Sequence, residues 1–128
     1  MSTIRTNEIL HLDGTTTSAP SIPALDQRMA KAWVNFNGTG TVAIRDSYNV
    51  SSLTDNGVGV YTINFSVNMA NSDYILAGMA GQNAADLINV SQPFNATPPV
   101  PGSCKVNVTY NNGNSYDSQI VTAIFFSS

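Results

Sequence analysis

Charge is what this sequence has least of: Asp, Glu, Lys and Arg together make up 10% of its 128 residues, against about 25% in an ordinary soluble domain. It also has one cysteine, one histidine and one tryptophan. With Cys104 alone, no disulfide forms within the chain and no thiolate cluster can hold a metal. Its flank, Val-Pro-Gly-Ser-Cys-Lys-Val, reads as the start of a strand, with the thiol serving as a small buried hydrophobe. His11 falls in a terminal stretch without a packed surround, so a Ser-His-Asp or Cys-His arrangement has no steady base to use. One His and one Cys are likewise too few for a zinc site.

The five basic residues, Arg5, Arg28, Lys31, Arg45 and Lys105, are scattered, and the net charge is −3. Nucleic-acid binding needs clustered cations that release counterions from phosphate, so it is not expected. No apolar run approaches about 18 residues. The opening Met1-Ser2-Thr3-Ile4-Arg5 lacks a signal-peptide core. The expectations are no membrane insertion and synthesis in a cytoplasm. Six Asn-X-Ser/Thr triplets, beginning at Asn37, Asn49, Asn64, Asn89, Asn95 and Asn107, then reflect composition rather than glycosylation.

Asn, Ser, Thr and Gly fill the space that charge leaves. These are turn and strand-surface residues, whereas helical surfaces are written in Glu, Lys, Gln and Arg. An all-β chain follows, with a surface so poor in charge that it invites cover by copies of itself or by a larger assembly.

Residues 1–30 read as an extended arm and connector. Ile4, Ile9, Leu10 and Leu12 are its apolar points, too few for a core, and Ile4 to Leu12 could add a strand to a neighbouring edge. A helical turn capped by Asp26 and carrying Leu25 and Met29 is expected between Ala24 and Ala32. Residues 31–128 form the head domain. Lys31 to Asn37 places Ala32, Val34 and Phe36 on one face and Trp33 and Asn35 on the other, so Trp33 needs a second layer or another copy to cover it. Gly38-Thr39-Gly40 closes a hairpin to Thr41–Arg45.

Tyr48–Leu53 and Gly59–Val67 flank an Asn-Gly turn. The second strand aligns Tyr61, Ile63, Phe65 and Val67 inward. Further strands are expected at Tyr74–Ala80, where Gly78 signals close approach of a second layer, at Leu87–Gln92, and at Lys105–Tyr110. Pro98, Pro99 and Pro101 stiffen the loop between the last two. Ile120–Phe126 is apolar on both faces, as in a central or interface-covered strand. Seven to eight short strands at this spacing predict an antiparallel β-sandwich or jelly roll.

Asp46, Asp55, Asp73, Asp86 and Asp117 are the carboxylates that a glycoside hydrolase pair would draw on. Asp46, Asp55, Asp73 and Asp117 stand beside Ser or Asn, where Asp ordinarily bonds its own backbone in a turn. Calcium at Asp55 lacks a loop of fixed ligand spacing. No cofactor is implied. Trp33, Phe36, Tyr61, Ile63, Phe65, Phe125 and Phe126 are assigned to the core or a subunit interface, along with Tyr74. Tyr48, Phe94 and Tyr116, in loops, are the candidates for exposed contact.

The string from Ala32 to Thr41 (AWVNFNGTGT), with Ile44-Arg45-Asp46-Ser47, Asn49-Val50-Ser51-Ser52 and Thr54 through Phe65 (TDNGVGVYTINF), resembles a module of tail-fibre-like and other virion structural proteins of tailed bacteriophages, notably those of marine and cyanobacterial hosts. The likeness covers about a quarter of the chain and brings no catalytic motif. It implies a virion protein, a homotrimer, shown outside the capsid or at the tail. Three readings follow. The chain is a tail-fibre-type protein anchored to other virion proteins by its arm and meeting a host glycan or protein. Alternatively it is a capsid decoration protein, or a polysaccharide-degrading fibre tip using two aspartates.

Overall fold

A computed structural model describes residues 23–81, 88–93 and 96–128. The arm residues Ile4, Ile9, Leu10 and Leu12, together with His11, Asp86 and Phe94, lie outside the described residues. The chain is all-β. Among the described residues eight strands follow in order: β1 (Ala32–Asn37), β2 (Ala43–Tyr48), β3 (Val50–Asp55), β4 (Val60–Phe65), β5 (Ile75–Gly81), β6 (Ile88–Ser91), β7 (Ser103–Tyr110) and β8 (Ile120–Phe126). They form two four-stranded antiparallel sheets, sheet I in the order β2-β1-β8-β5 and sheet II in the order β3-β4-β7-β6. The two-layer sandwich is therefore the architecture observed.

Alternation along the strands fixes what lies between the layers. Ala32, Val34 and Phe36 of β1 and Val121, Ala123 and Phe125 of β8 meet Tyr61, Ile63 and Phe65 of β4 and Cys104, Val106 and Val108 of β7 in one core. Its aromatic centre is Phe65, whose ring stands edge-on to Tyr74 and to Phe125 at centroid separations of 5.8 and 5.0 Å. Such T-shaped pairs add to the gain from burial alone. β8 is central in sheet I, between β1 and β5, which accounts for apolar residues on both its faces. Gly78 marks the close approach of the layers, since a Cβ there would come within 2.9 Å of Val90 Cγ1 on β6.

Three local expectations need correction. The helical turn is α1, Pro23–Asp26. Proline suits the first helical position, and Asp26 ends the turn instead of capping it. β2 begins later than expected and runs on to Tyr48, because Arg45 is an extra residue: Asn35 pairs with Asp46, but Phe36 pairs with Ile44. A bulge of this kind breaks simple alternation.

The third correction is at Asn49. Tyr48-Asn49-Val50 reads as one strand, yet Asn49 takes φ 55° and the chain passes there from the edge of sheet I to the edge of sheet II. Asparagine enters this left-handed region more readily than most residues. Its amide donates to the carbonyls of Lys31 and Val67, each at 3.0 Å, and its oxygen accepts the Val67 amide at 2.7 Å. The Val67 backbone is thereby drawn to the corner. β4 ends at Phe65, Val67 points to solvent, and Met69 takes the buried place after Phe65.

Candidate functional site

The two outer faces of the sandwich differ in chemistry. On sheet II, the outward residues of β3, β4, β7 and β6 include Ser52, Thr54, Thr62, Asn64, Ser103, Lys105, Asn107, Thr109, Asn89 and Ser91. Several bond one another: the Asn64 amide donates to the hydroxyls of Ser52 and Thr54, each at 3.1 Å. Sheet I is the reverse. β1, β8 and β5 contain no charged residue. Their outward positions carry Trp33, Ile120, Ile124, Phe126, Ile75, Ala77 and Met79, with Asn35, Asn37 and Thr122 between them.

Register assembles this apolar face. Tyr48, Trp33, Ile124 and Ala77 lie in one row across the four strands, and Asp46, Asn35, Thr122 and Met79 in the next. The three uncharged strands, about 4.8 Å apart and six residues long at about 3.3 Å each, span roughly 300 Å², the size of the largest apolar patch on an ordinary monomer, which is often functional. An open hollow of about 480 Å³ sinks into it, lined by Trp33, Asn35, Ala77, Met79, Thr122 and Ile124. Asn35 Oδ1 is buried there without a hydrogen-bond partner. The Thr122 hydroxyl donates to the Met79 carbonyl at 3.2 Å, and a charged Asp46 has no proton to give.

Trp33 is half-buried and faces away from sheet II, so the second layer does not cover it. Phe126 is half-buried on the same outer face, whereas Phe36, Tyr61, Ile63, Phe65 and Phe125 are in the core. Tyr48 is exposed and borders a second open hollow of about 810 Å³, together with Lys31, Ser66, Val67, Asn68 and Ser128. Tyr116 is half-buried and packs on Tyr110 at a ring separation of 4.7 Å.

The carboxylates are dispersed. Asp46 and Asp55 bond the amides of Ser47 at 2.9 Å and Gly57 at 3.0 Å, while Asp73 is exposed just after a bend. Asp117 departs from the expected turn role. Its Oδ1 accepts from the Gly59 amide at 2.7 Å and from the Tyr61 hydroxyl at 2.8 Å, residues more than fifty positions away. Burial, then the Asp117 hydrogen bond and charge, push the Tyr61 hydroxyl well above its ordinary pKa. Nearby, the Gly38 carbonyl lies 3.0 Å from the same hydroxyl, and the Gly38 amide donates to the Ser118 carbonyl at 2.8 Å. Ser118 is fully buried and its hydroxyl bonds the Gly81 carbonyl. This knot joins both sheets at one end of the sandwich.

Cys104 is buried, and burial pushes its thiol pKa up, which leaves the unreactive protonated form at neutral pH. Among the described residues no group of three His, Cys, Asp or Glu could hold a metal ion, and no helix is long and apolar enough to cross a membrane.

What these features define is a class: an eight-stranded antiparallel β-sandwich with one apolar and one polar outer face. No protein-family model, curated protein or solved structure matches the chain.

Proposed function

We propose that this chain is a bacteriophage virion structural protein of tail-fibre type, a homotrimer displayed on the particle. In this reading residues 1–30 anchor it to other virion proteins and the head domain meets a glycan or protein of the host surface. The observation that carries the reading is the contrast between the outer faces. A face whose strands β1, β8 and β5 carry no charge, built around Trp33, Ile124 and Met79, gains from being covered, while the hydroxyl and amide surface of sheet II suits water. A closed oligomer meets both demands and leaves the polar faces and turns outward. Several copies then add weak host contacts by avidity. Tyr48, on edge strand β2 at the rim of that face and beside the hollow shared with Lys31 and Asn68, is left accessible for such a contact. Asp117, engaged by Gly59 and Tyr61, supports a structural use for that carboxylate over a catalytic one.

Immunogold labelling of intact particles, with an adsorption assay after antibody treatment, tests this. Tail labelling with loss of host adsorption is expected. Label on the head alone would make the chain a capsid decoration protein, and unlabelled particles would end the virion reading.

A further inference from the structure

The hollow of about 810 Å³ lies at the corner where the chain leaves β2 for β3, and Asn49 lines it. Among the described residues Asn49 is the one non-glycine with a positive φ, and backbone held in a sparsely populated region clusters at ligand sites. Its side-chain bonds tie Lys31 and Val67 to this corner, and its carbonyl accepts the Ser66 amide at 3.2 Å. Lys31 is held a second time, its amide donating to the Phe125 carbonyl at 2.8 Å. Three stretches of chain are therefore fixed relative to one another before anything binds, and all three wall the hollow.

The lining is mixed. Tyr48, 52% exposed, sets an aromatic ring at the rim, with Val67 and Ala70 adding apolar surface. The Lys31 ammonium, the Ser66 hydroxyl and the Asn68 amide are the polar counterpart, and no hydrogen bond to another described residue engages them. Asn68 is set against Gly102, where a Cβ would come within 3.3 Å of its Oδ1. No carboxylate side chain lines the hollow.

We infer that this hollow binds a saccharide, with a pyranose ring stacked on Tyr48 and its hydroxyls bonded by Lys31, Ser66 and Asn68. The inference rests on the host-contact reading above and narrows the partner to a carbohydrate. A pyranose carries C–H bonds on its faces and hydroxyls round its edge, so it needs a flat aromatic surface beside a few fixed polar side chains. The corner supplies both. The centre of a protein contact is more apolar and shut off from water, whereas this hollow is open and carries hydroxyl, amide and ammonium groups. Because the Asn49 bonds already hold the walls, little ordering is lost on binding.

The experiment titrates the full, isotopically labelled chain with cellotetraose, maltotetraose, chitotetraose and tetragalacturonic acid, followed by amide NMR. Saturable shifts are expected with at least one of the four, centred on Lys31, Tyr48, Asn49 and residues 66–68 and including the Asn49 side-chain amide. Tyr48→Ala should weaken that binding roughly tenfold with the thermal midpoint unchanged. Lys105→Ala, which alters the lysine on the outer face of sheet II, should bind as wild type. No shift with any of the four, shifts centred on another surface, or binding untouched by Tyr48→Ala would overturn the inference. So would host adsorption that needs Tyr48 while all four saccharides leave the spectrum unchanged, which would make the partner a protein. Particle labelling is a separate result: a chain that labels tails but takes no saccharide would keep the virion role and lose this site, and one that binds a saccharide but labels no particle would do the reverse.

Discussion

The Tyr61 hydroxyl lies 2.8 Å from Asp117 Oδ1, which also accepts the Gly59 amide at 2.7 Å. One buried side chain of β4 thus meets the segment before β8, and the link fastens the two sheets at the end where β1 turns into β2. Its hydrogen bond has a charged acceptor, among the stronger kinds in a protein interior. Tyr61→Phe removes the donor and leaves the ring. We expect a loss of about 1–3 kcal/mol in urea unfolding, and an unchanged midpoint would mean that water replaces the hydroxyl at no cost.

Gly38 tests the same link from the other side. A Cβ at this position would overlap the Tyr61 hydroxyl and come within 2.9 Å of its ring carbon and 3.0 Å of the Ser118 carbonyl. Gly38→Ala should cost about 1–3 kcal/mol, the range for overpacking a well-filled site. In the Tyr61→Phe background the penalty should shrink, because the closest atom is gone. Thermal unfolding of the two single variants and the double variant measures this coupling.

Stability should also fall in alkali. Burial, reinforced by Asp117, raises the Tyr61 pKa above 10.0; burial, reinforced by the neighbouring Cys104, raises that of Tyr74. Above about pH 10 the unfolded chain loses these protons while the folded chain keeps them, so stability declines as pH rises. Below that value the contribution is complete. Each tyrosine adds up to about 1.4 kcal/mol per pH unit to the slope. Urea midpoints measured between about pH 7 and pH 11 should begin to fall near pH 9, where the unfolded Cys104 thiol ionises and the buried one does not, and fall more steeply above about pH 10, where Tyr61→Phe should flatten the drop.

The end of β4 is tested by a pair of substitutions. Phe65→Ala empties a site bounded by Tyr74 and Phe125 and should cost about 3–5 kcal/mol. Val67→Ala, at an exposed position, should stay within about 0.5 kcal/mol. Comparable losses in the two variants would place both side chains inward and contradict the corner at Asn49.

Most of the sandwich was legible in the sequence because its signals are local. Phe36, Ile63, Phe65 and Phe125 fall inward by simple alternation, and Gly38 and Gly57 mark turns where the chain does turn. What alternation does not register is a change of sheet. Val50 and Val67 continue the period on paper, yet Asn49 breaks one strand and its side chain captures the backbone of the other. Arg45 is invisible for a similar reason, since a bulge exists only relative to a partner strand. Asp117 looked like a turn residue because its real partners are more than fifty residues away. The apolar outer face was half legible. Trp33 announced that something had to cover it, but only the pairing of β5 with β8 brings Ala77 and Met79 alongside.

The central claim is that the outer face of sheet I is a subunit interface. Sedimentation equilibrium of the full chain across the micromolar range tests it most directly. The account predicts a single closed oligomer, a trimer, in reversible or tight equilibrium with the 13.6 kDa chain. A monodisperse monomer throughout that range would contradict it.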